Sequence, residues 1–138
     1  MFSSKRTVRR RSFTLIELMI VIIILGLLGG IVVPKYMKHL VKAKQQTART
    51  QIEALSQAIG DYHMDMDDYP KDLNALIQSP GSDKWDGPYL RPARIPLDPW
   101  SEPYHYECPG KNSEFDLYSY GKDKAPGGDK ENADVTNW

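Results

Sequence analysis

Residues 13–34 read FTLIELMIVIIILGLLGGIVVP, and this stretch decides the architecture of the chain. Between Phe13 and Val33 the only charged residue is Glu17. A helix over these positions would be about 30 Å long at about 1.5 Å per residue, which is the thickness of the hydrocarbon core of a bilayer. A carboxylate there costs roughly 2.5–3.5 kcal/mol near the middle of the membrane and less toward its edge. We therefore expect Glu17 to have a function that offsets this cost.

A basic leader precedes the apolar segment. Residues 1–12 contain no acidic residue and carry five positive charges, on Lys5, Arg6, Arg9, Arg10 and Arg11. Clustered positive charge keeps a flank in the cytoplasm, which places the chain after Val33 on the opposite side of the membrane. The small-residue cleavage site of an ordinary secretory signal does not follow Val33. Hydropathy alone therefore favours an uncleaved membrane anchor.

The motif Phe13-Thr14-Leu15-Ile16-Glu17 after a short basic leader resembles the class III signal of type IV pilins and type II secretion pseudopilins. In that superfamily a prepilin peptidase cuts before the Phe and methylates the new amino group, and the apolar helix remains as the polymerisation stem. The resemblance implies cleavage between Ser12 and Phe13, with Ser12 where the family nearly always has Gly. It implies a cleaved leader at 1–12, a transmembrane stem helix at 13–34 and a periplasmic head at 35–138.

The same resemblance implies that Glu17 acts in assembly. Cleavage gives Phe13 a free ammonium group, and a buried cation and a buried carboxylate are each costly alone and tolerable as a pair. In the family the amine belongs to a neighbouring subunit, and the pair would fix the register of the filament. Phe13 and Glu17 are also four residues apart on one helix, so the pair could close within one chain. The sequence leaves both pairings open, and the resemblance favours the intermolecular one.

Apolar periodicity continues beyond the membrane segment. Six residues recur at intervals of four and three, as one face of a helix does: Ala48, Ile52, Leu55, Ile59, Tyr62 and Met66. The spacing predicts a helix from Phe13 to about Met64, with a transmembrane half and an amphipathic half, ended by Tyr69-Pro70. We expect the stripe to be core that packs on the C-terminal residues.

The chain after Pro70 predicts a small head of mixed structure. A short helix near Leu73 is expected, with Asp72 as its N-terminal cap. Alternating residues predict strands at 104–108 and 115–119, and a third strand either in the last residues or near Leu90. The fold class is therefore α+β, with a small antiparallel sheet on the second half of the long helix.

Composition limits the functions that the chain can have. It has 18 basic and 18 acidic residues, and removal of the five basic residues of the leader leaves 13 against 18, a net charge of −5. This acidic balance argues against nucleic-acid binding. The single Cys108 cannot form an internal disulfide, so a bound metal would be a natural substitute. His39, His63 and His105 lack the spacing of zinc ligands, and no nucleophile elbow or phosphate loop occurs, so we do not predict an enzyme.

Two stretches of the head resemble the major pseudopilins of type II secretion more specifically. They are IPLDPWSEPY at 95–104 and DLYSYGKD at 116–123, the second followed by NADVTNW at 132–138. The chain departs from the family pattern at Ser101 and Thr136, where relatives carry Gly. The resemblance implies a pilin-like structural subunit, anchored once in the bacterial inner membrane. It would polymerise into a periplasmic filament that pushes folded exoproteins through the outer membrane.

The resemblance also implies partners, namely further copies of the chain, minor pseudopilins, the prepilin peptidase and an inner-membrane assembly platform. Two alternatives remain at this point. A type IV pilus major or minor pilin would have the same stem. An uncleaved, membrane-anchored monomeric binding module would need neither the cleavage motif nor Glu17.

A structural calcium site is implied in the C-terminal loop, because family members bind one Ca²⁺ there. Matched residue by residue, the ligands would be the Asp123 and Asp134 carboxylates, the Tyr120 and Ala125 carbonyl oxygens and the Asn132 amide oxygen. Hard oxygen donors suit Ca²⁺. Taken without the resemblance, a loop rich in Gly, Pro and Asp that lacks the EF-hand pattern is more often a plain turn. The ion would lock the loop and the last strand so that heads can pack in a filament.

Overall fold

One long helix is the main element of the fold. A computed structural model describes residues 12–138, so the predicted leader lies outside the described residues except for Ser12. Helix α1 runs from Leu15 to Met66 and continues through Pro34. The predicted helix is confirmed to within about two residues at each end, and contacts along the chain divide it between Lys38 and His39 into two units.

The first unit contains the apolar part of α1. Every large apolar side chain from Leu15 to Val33 is exposed, by fractions between 44% and 79%. Within residues 12–138, α1 is the one helix that is long and apolar enough to cross a membrane. Exposed apolar patches larger than a few hundred Å² are rare on soluble monomers, so this segment requires lipid or neighbouring helices around it.

The second unit has its own hydrophobic core. The predicted stripe on α1 is confirmed, since Ala48 to Tyr62 supply its buried face and Met66 is half-buried against it. Full burial of a Leu or Ile side chain stabilises a fold by about 1.5–3 kcal/mol. The residues that complete the core from the rest of this unit are Leu73, Leu76, Tyr104, Leu117 and Val135.

The turn after α1 is held by its cap. A 3₁₀ turn spans Leu73–Leu76, and the Asp72 Oδ1 atom accepts the N–H groups of Asn74 at 2.8 Å and Ala75 at 3.2 Å. These bonds satisfy donors that the start of a helix leaves unpaired. The predicted short helix and its cap are confirmed, and the turn places its two leucines in the core.

Three short strands form an antiparallel sheet in the order β1-β2-β3. They are β1 at His105–Glu107, β2 at Asp116–Ser119 and β3 at Val135–Thr136. The third strand therefore comes from the last residues, and Leu90 belongs to no strand in the described structure.

Asn137 extends the pairing of β3 with β2 through its side chain. Its backbone N–H donates to the Leu117 carbonyl at 3.0 Å, and its Oδ1 atom accepts the Leu117 N–H at 2.8 Å. Its Nδ2 group donates to the Phe115 carbonyl at 3.0 Å. The two-residue strand β3 is thus held in place by a third residue, which positions the loop that precedes it.

Candidate functional site

The predicted cleavage point lies in exposed, non-helical chain. Ser12 and Phe13 precede α1 and are exposed, and Phe13 has 77% of its surface accessible. Proteases cut most readily in exposed chain outside regular structure. The bond between Ser12 and Phe13 is therefore sterically accessible in the described residues.

Glu17 is part of a capping box at the start of α1. Its Oε2 atom accepts the Thr14 N–H at 3.5 Å, and its own N–H donates to the Thr14 Oγ1 atom at 3.3 Å. This reciprocal pair satisfies two of the donors that a helix N-terminus leaves free. Sequence reasoning missed this contact, although the Thr14-x-x-Glu17 spacing signals it. Pairing of Glu17 with the Phe13 amine stays a prediction.

The C-terminal loop is built on a very close approach of two chain segments. It leaves β2 through a 3₁₀ turn at Gly121–Asp123 and reaches β3 through a second turn at Lys130–Asn132. Gly121 has φ of +73°, and a Cβ atom there would lie 2.9 Å from the Ala133 carbonyl oxygen and 3.0 Å from that of Glu131. Only glycine fits this position without displacing backbone, so Gly121 brings the two ends of the loop together.

The two predicted carboxylate ligands bind neighbouring backbone groups of the loop. The Asp123 Oδ1 atom accepts the Ala125 N–H at 3.3 Å, and the Asp134 Oδ2 atom accepts the Gly127 N–H at 2.8 Å. Two residues of extended chain span at most about 7 Å, so the two N–H groups are close together. The structure thereby brings both carboxylates to one part of the loop.

The other three predicted ligand residues lie beside, within and between the two turns. Tyr120 precedes the first turn, Asn132 ends the second, and Ala125 lies in the exposed chain between them. All five predicted ligand residues therefore belong to the loop between β2 and β3.

One oxygen of Asp134 requires a partner that residues 12–138 do not supply. Its Oδ1 atom is buried and has no hydrogen bond among them. Leaving such a group unpaired costs about 1–3 kcal/mol, and a cation would satisfy it. Within the same residues no group of three or more His, Cys, Asp or Glu side chains is arranged to hold a metal ion. Main-chain carbonyl oxygens would have to complete the site, which is a donor set that fits Ca²⁺.

Polar contacts hold the loop to itself and to neighbouring parts of the head. The Lys122 Nζ atom lies 2.8 Å from the Glu131 Oε2 atom and joins the two turns. Lys124 pairs with Glu102 outside the loop, and the Gln45 side chain of α1 donates to the carbonyl oxygen of the second turn. Exposed ion pairs contribute only about 0–1 kcal/mol to stability. These contacts therefore influence the conformation of the loop but add little to the free energy of unfolding.

Asp116 organises the turn that leads into β2. It is 2% exposed, and its carboxylate accepts the N–H groups of Lys111 at 2.8 Å and Ser113 at 3.1 Å, together with the N–H and amide groups of Asn112. Burial by itself raises the pKa of Asp116, but the donated hydrogen bonds outweigh it, so this pKa lies below its usual value. Sequence reasoning gave Asp116 no role.

Asp98 is a buried carboxyl group that sequence reasoning quoted only as part of a motif. It is 5% exposed, and its Oδ1 atom accepts the N–H groups of Trp100 at 2.9 Å and Glu102 at 2.8 Å. Its Oδ2 atom accepts the Ser119 hydroxyl at 2.5 Å. The signal in the sequence was the Asp98-Pro99 pair, because Asp commonly hydrogen-bonds the backbone two residues on in a turn.

The family of the chain follows from comparison with known proteins. The family described as "Type II secretion system (T2SS), protein G" matches residues 35–138, and the "Prokaryotic N-terminal methylation motif" matches residues 8–33. The chain belongs to the type II secretion protein G family. The predicted resemblance is confirmed, and the methylation motif covers the proposed cleavage point.

Relatives of this protein G family match over nearly the whole chain. The type II secretion system core protein G of Pseudomonas aeruginosa is 40% identical over 94% of this chain and 96% of its own length. That of Vibrio cholerae is 37% identical over 97% of this chain and 95% of its own. The crystal structure of the major pseudopilin from enterohaemorrhagic Escherichia coli superposes with a TM-score of 0.61 at 32% identity, covering 74% of this chain and 88% of that one. The fold of a long helix with a small antiparallel sheet is confirmed.

Proposed function

We propose that this protein G chain is the major structural subunit of a type II secretion pseudopilus and polymerises through its stem helix. The observation that carries the proposal is the continuous exposed apolar surface of α1 from Leu15 to Val33. Membership of the protein G family, and similarity to a crystallised major pseudopilin, support it. Lipid would cover the stem before assembly, and neighbouring stems would cover it in the filament.

The stem carries features that suit close packing of helices. A Cβ atom at Gly26 or Gly30 would meet nothing within 4 Å, so another helix backbone can approach there. Small residues four apart have this role in membrane helix pairs. Between apolar stems, the Glu17 carboxylate would need a cation, and the amine of Phe13 from the next subunit would provide it.

The proposal includes processing and location. A prepilin peptidase would cut between Ser12 and Phe13 and methylate the new amine, and the head would lie in the periplasm below an outer-membrane channel. Assembly would require the inner-membrane platform and minor pseudopilins, and the filament would help to push folded exoproteins outward. The role is mechanical and structural, and it requires no catalytic residue in this chain.

The proposal also includes a structural calcium ion in the loop between β2 and β3. Carboxylates of Asp123 and Asp134, carbonyl oxygens of Tyr120 and Ala125 and the amide of Asn132 would hold it. The unpaired Oδ1 atom of Asp134 supports this assignment. A bound ion would neutralise the Asp123 and Asp134 carboxylates and join the two ends of the loop.

The calcium assignment is tested by Asp134→Asn in the mature chain, followed by thermal unfolding with and without Ca²⁺. A ligand at a hundred times its Kd stabilises a fold by about 2.7 kcal/mol, so the parent should melt at a higher temperature in Ca²⁺ and the variant should not. The matched control is Asp129→Asn, an exposed acid of the same loop, which should keep the calcium response. Equal responses in the parent and the Asp134 variant would reject the site.

The assembly role is tested by comparing Glu17→Leu with Thr14→Ala in cells that form the filament. Both variants break the capping box, but only the first removes the carboxylate. If Glu17 pairs with an amine, Glu17→Leu should be cleaved and inserted but fail to assemble, whereas Thr14→Ala should assemble. Filament yield after shearing and the intact mass of the membrane-extracted chain report the two steps. Loss of assembly in both variants would assign the role of Glu17 to helix capping.

A further inference from the structure

We propose that Ser119, held by the buried Asp98, is a positioning residue for the calcium loop and couples ion binding to the shape of the 98–102 turn. The inference rests on the calcium site proposed above and extends it to residues that bind no ion. Ser119 is fully buried at the end of β2, directly before the loop. Asp98 lies in a separate segment, 21 residues before Ser119 in the sequence.

The Ser119 hydroxyl group connects the two segments. It donates to the Asp98 Oδ2 atom at 2.5 Å and accepts the N–H of Gly121 at 3.1 Å. The donated bond fixes the rotation of the hydroxyl, and that rotation presents a lone pair to Gly121. The carboxyl group of Asp98 thus determines which way the Gly121 N–H can point.

The N–H of Gly121 and the carbonyl of Tyr120 belong to the same peptide unit. Because that unit is planar, fixing the direction of the N–H also fixes the direction of the C=O. Tyr120 is one of the proposed main-chain ligands. Ser119 therefore aims a ligand oxygen from outside the site, without itself offering an atom to the ion.

The contacts that run from Gly121 through Ser119 to Asp98 end in the turn at residues 98–102. The second oxygen of Asp98 binds the N–H groups of Trp100 and Glu102, and the Asp98 N–H donates to the Glu102 carbonyl at 2.8 Å. Next to this turn, Leu97 forms an isolated bridge with Pro103 and is 54% exposed. An ion that orders the Tyr120 peptide would therefore also order this surface turn.

An exposed ion pair also connects the loop with the 98–102 turn, and it supplies a control for the buried contacts of Ser119. Lys124 of the loop pairs with Glu102 of the turn, but both side chains are more than a third exposed. Water screens such a pair, so it should contribute little to coupling. Removal of the Glu102 charge tests the exposed path, and removal of the Ser119 hydroxyl tests the buried path.

Coupling between two sites is reciprocal, which gives the inference a second measurable consequence. If calcium binding favours the ordered turn by a given factor, then the protein with the ordered turn binds calcium more tightly than the protein with the disordered turn by the same factor. Coupled sites typically show factors of about 5 to 150. Ser119→Ala should therefore raise the Kd for Ca²⁺ by about fivefold or more, and Glu102→Gln should leave it within about twofold.

The experiment is residue-resolved amide hydrogen exchange on the mature chain in detergent micelles, with and without Ca²⁺. In the parent, Ca²⁺ should slow exchange at Gly121 and also at Trp100 and Glu102. In Ser119→Ala, the loop should still respond, at a higher Ca²⁺ concentration, while the amides of Trp100 and Glu102 should no longer respond. In Glu102→Gln both regions should respond as in the parent.

The possible results distinguish failure of the coupling through Ser119 from failure of the proposed calcium site. Protection confined to the 120–134 loop of the parent would overturn the coupling and leave the calcium site intact. Absence of a calcium effect at every amide would overturn both. Loss of the response at Trp100 in Glu102→Gln, with the response kept in Ser119→Ala, would assign the coupling to the exposed ion pair and refute the role of Ser119. A merely structural Ser119 would give faster exchange throughout the head of its variant, with the calcium response of Trp100 and Glu102 intact.

Discussion

Substitution of Gly121 by Ala should destabilise the head more than the same substitution at Gly127. Both glycines have positive φ, +73° and +88°, so an Ala side chain is strained at either position. That strain costs roughly 1–2 kcal/mol. A Cβ atom at Gly121 would in addition lie 2.9 Å from the Ala133 carbonyl oxygen, whereas one at Gly127 would meet nothing within 4 Å.

The comparison isolates the close approach of the loop ends. The gain from a less flexible unfolded chain is about 0.4–1 kcal/mol for either Gly→Ala change, and it cancels between them. Overpacking of a tight contact typically costs about 1–3 kcal/mol. Since 1 kcal/mol shifts Tm by about 4–8 °C in a domain of 60–100 residues, Gly121→Ala should melt at least about 4 °C below Gly127→Ala.

The assay is thermal unfolding of the mature chain in detergent, followed by near-ultraviolet circular dichroism, in excess chelator and again in excess Ca²⁺. The chelator series measures the backbone contact without any contribution from an ion. Equal melting temperatures for the two variants in chelator would refute the reasoning, because the second turn would then have withdrawn from residue 121 at no cost.

Two further predictions concern the core and the sheet. Leu55→Ala should lower the free energy of unfolding by about 2–5 kcal/mol, because Leu55 is fully buried and its removal leaves a cavity. Urea denaturation measures this loss, with Met64→Ala as the exposed control, and equal midpoints of the two variants would contradict the prediction. Because the pKa of Asp116 is lowered in the fold, its contribution to stability is present above the unfolded pKa of about 3.9 and is lost as the pH falls through the folded value. Asp116→Asn should therefore flatten the fall in Tm between about pH 5 and pH 2, and an unchanged slope would exclude this carboxylate as its source.

Patterns with a strong period were predictable from the sequence. The helix through residue 66 and its buried stripe follow from apolar spacing, since Ile52, Leu55 and Ile59 recur on one face. The cap at Asp72 follows from residue type and position. Such features are local, so no knowledge of the rest of the fold is needed to see them.

The contacts that organise the candidate site were not predictable in the same way. Asp98 and Ser119 meet across 21 residues, and no spacing in the sequence connects them. The sequence did not decide whether the third strand lies in the last residues or near Leu90. The strand has only two paired residues, and the side chain of Asn137 supplies the next contact with β2. The capping box follows from the spacing of Thr14 and Glu17, but the position of Glu17 in an apolar segment favours a charged partner more strongly.

The pairing of β2 with β3 and Asn137 joins segments that are separated by a loop, and this separation affects the order of folding. Leu117 can form its hydrogen bonds with this segment only after residue 137 has been synthesised and is available. The sheet and the loop that contains Asp134 therefore form at the same stage of folding. On the proposed topology, a head that is still crossing the membrane would lack its last strand and could not hold an ion. The head would then mature only once residues 135–137 have crossed the membrane, in the compartment where the filament grows.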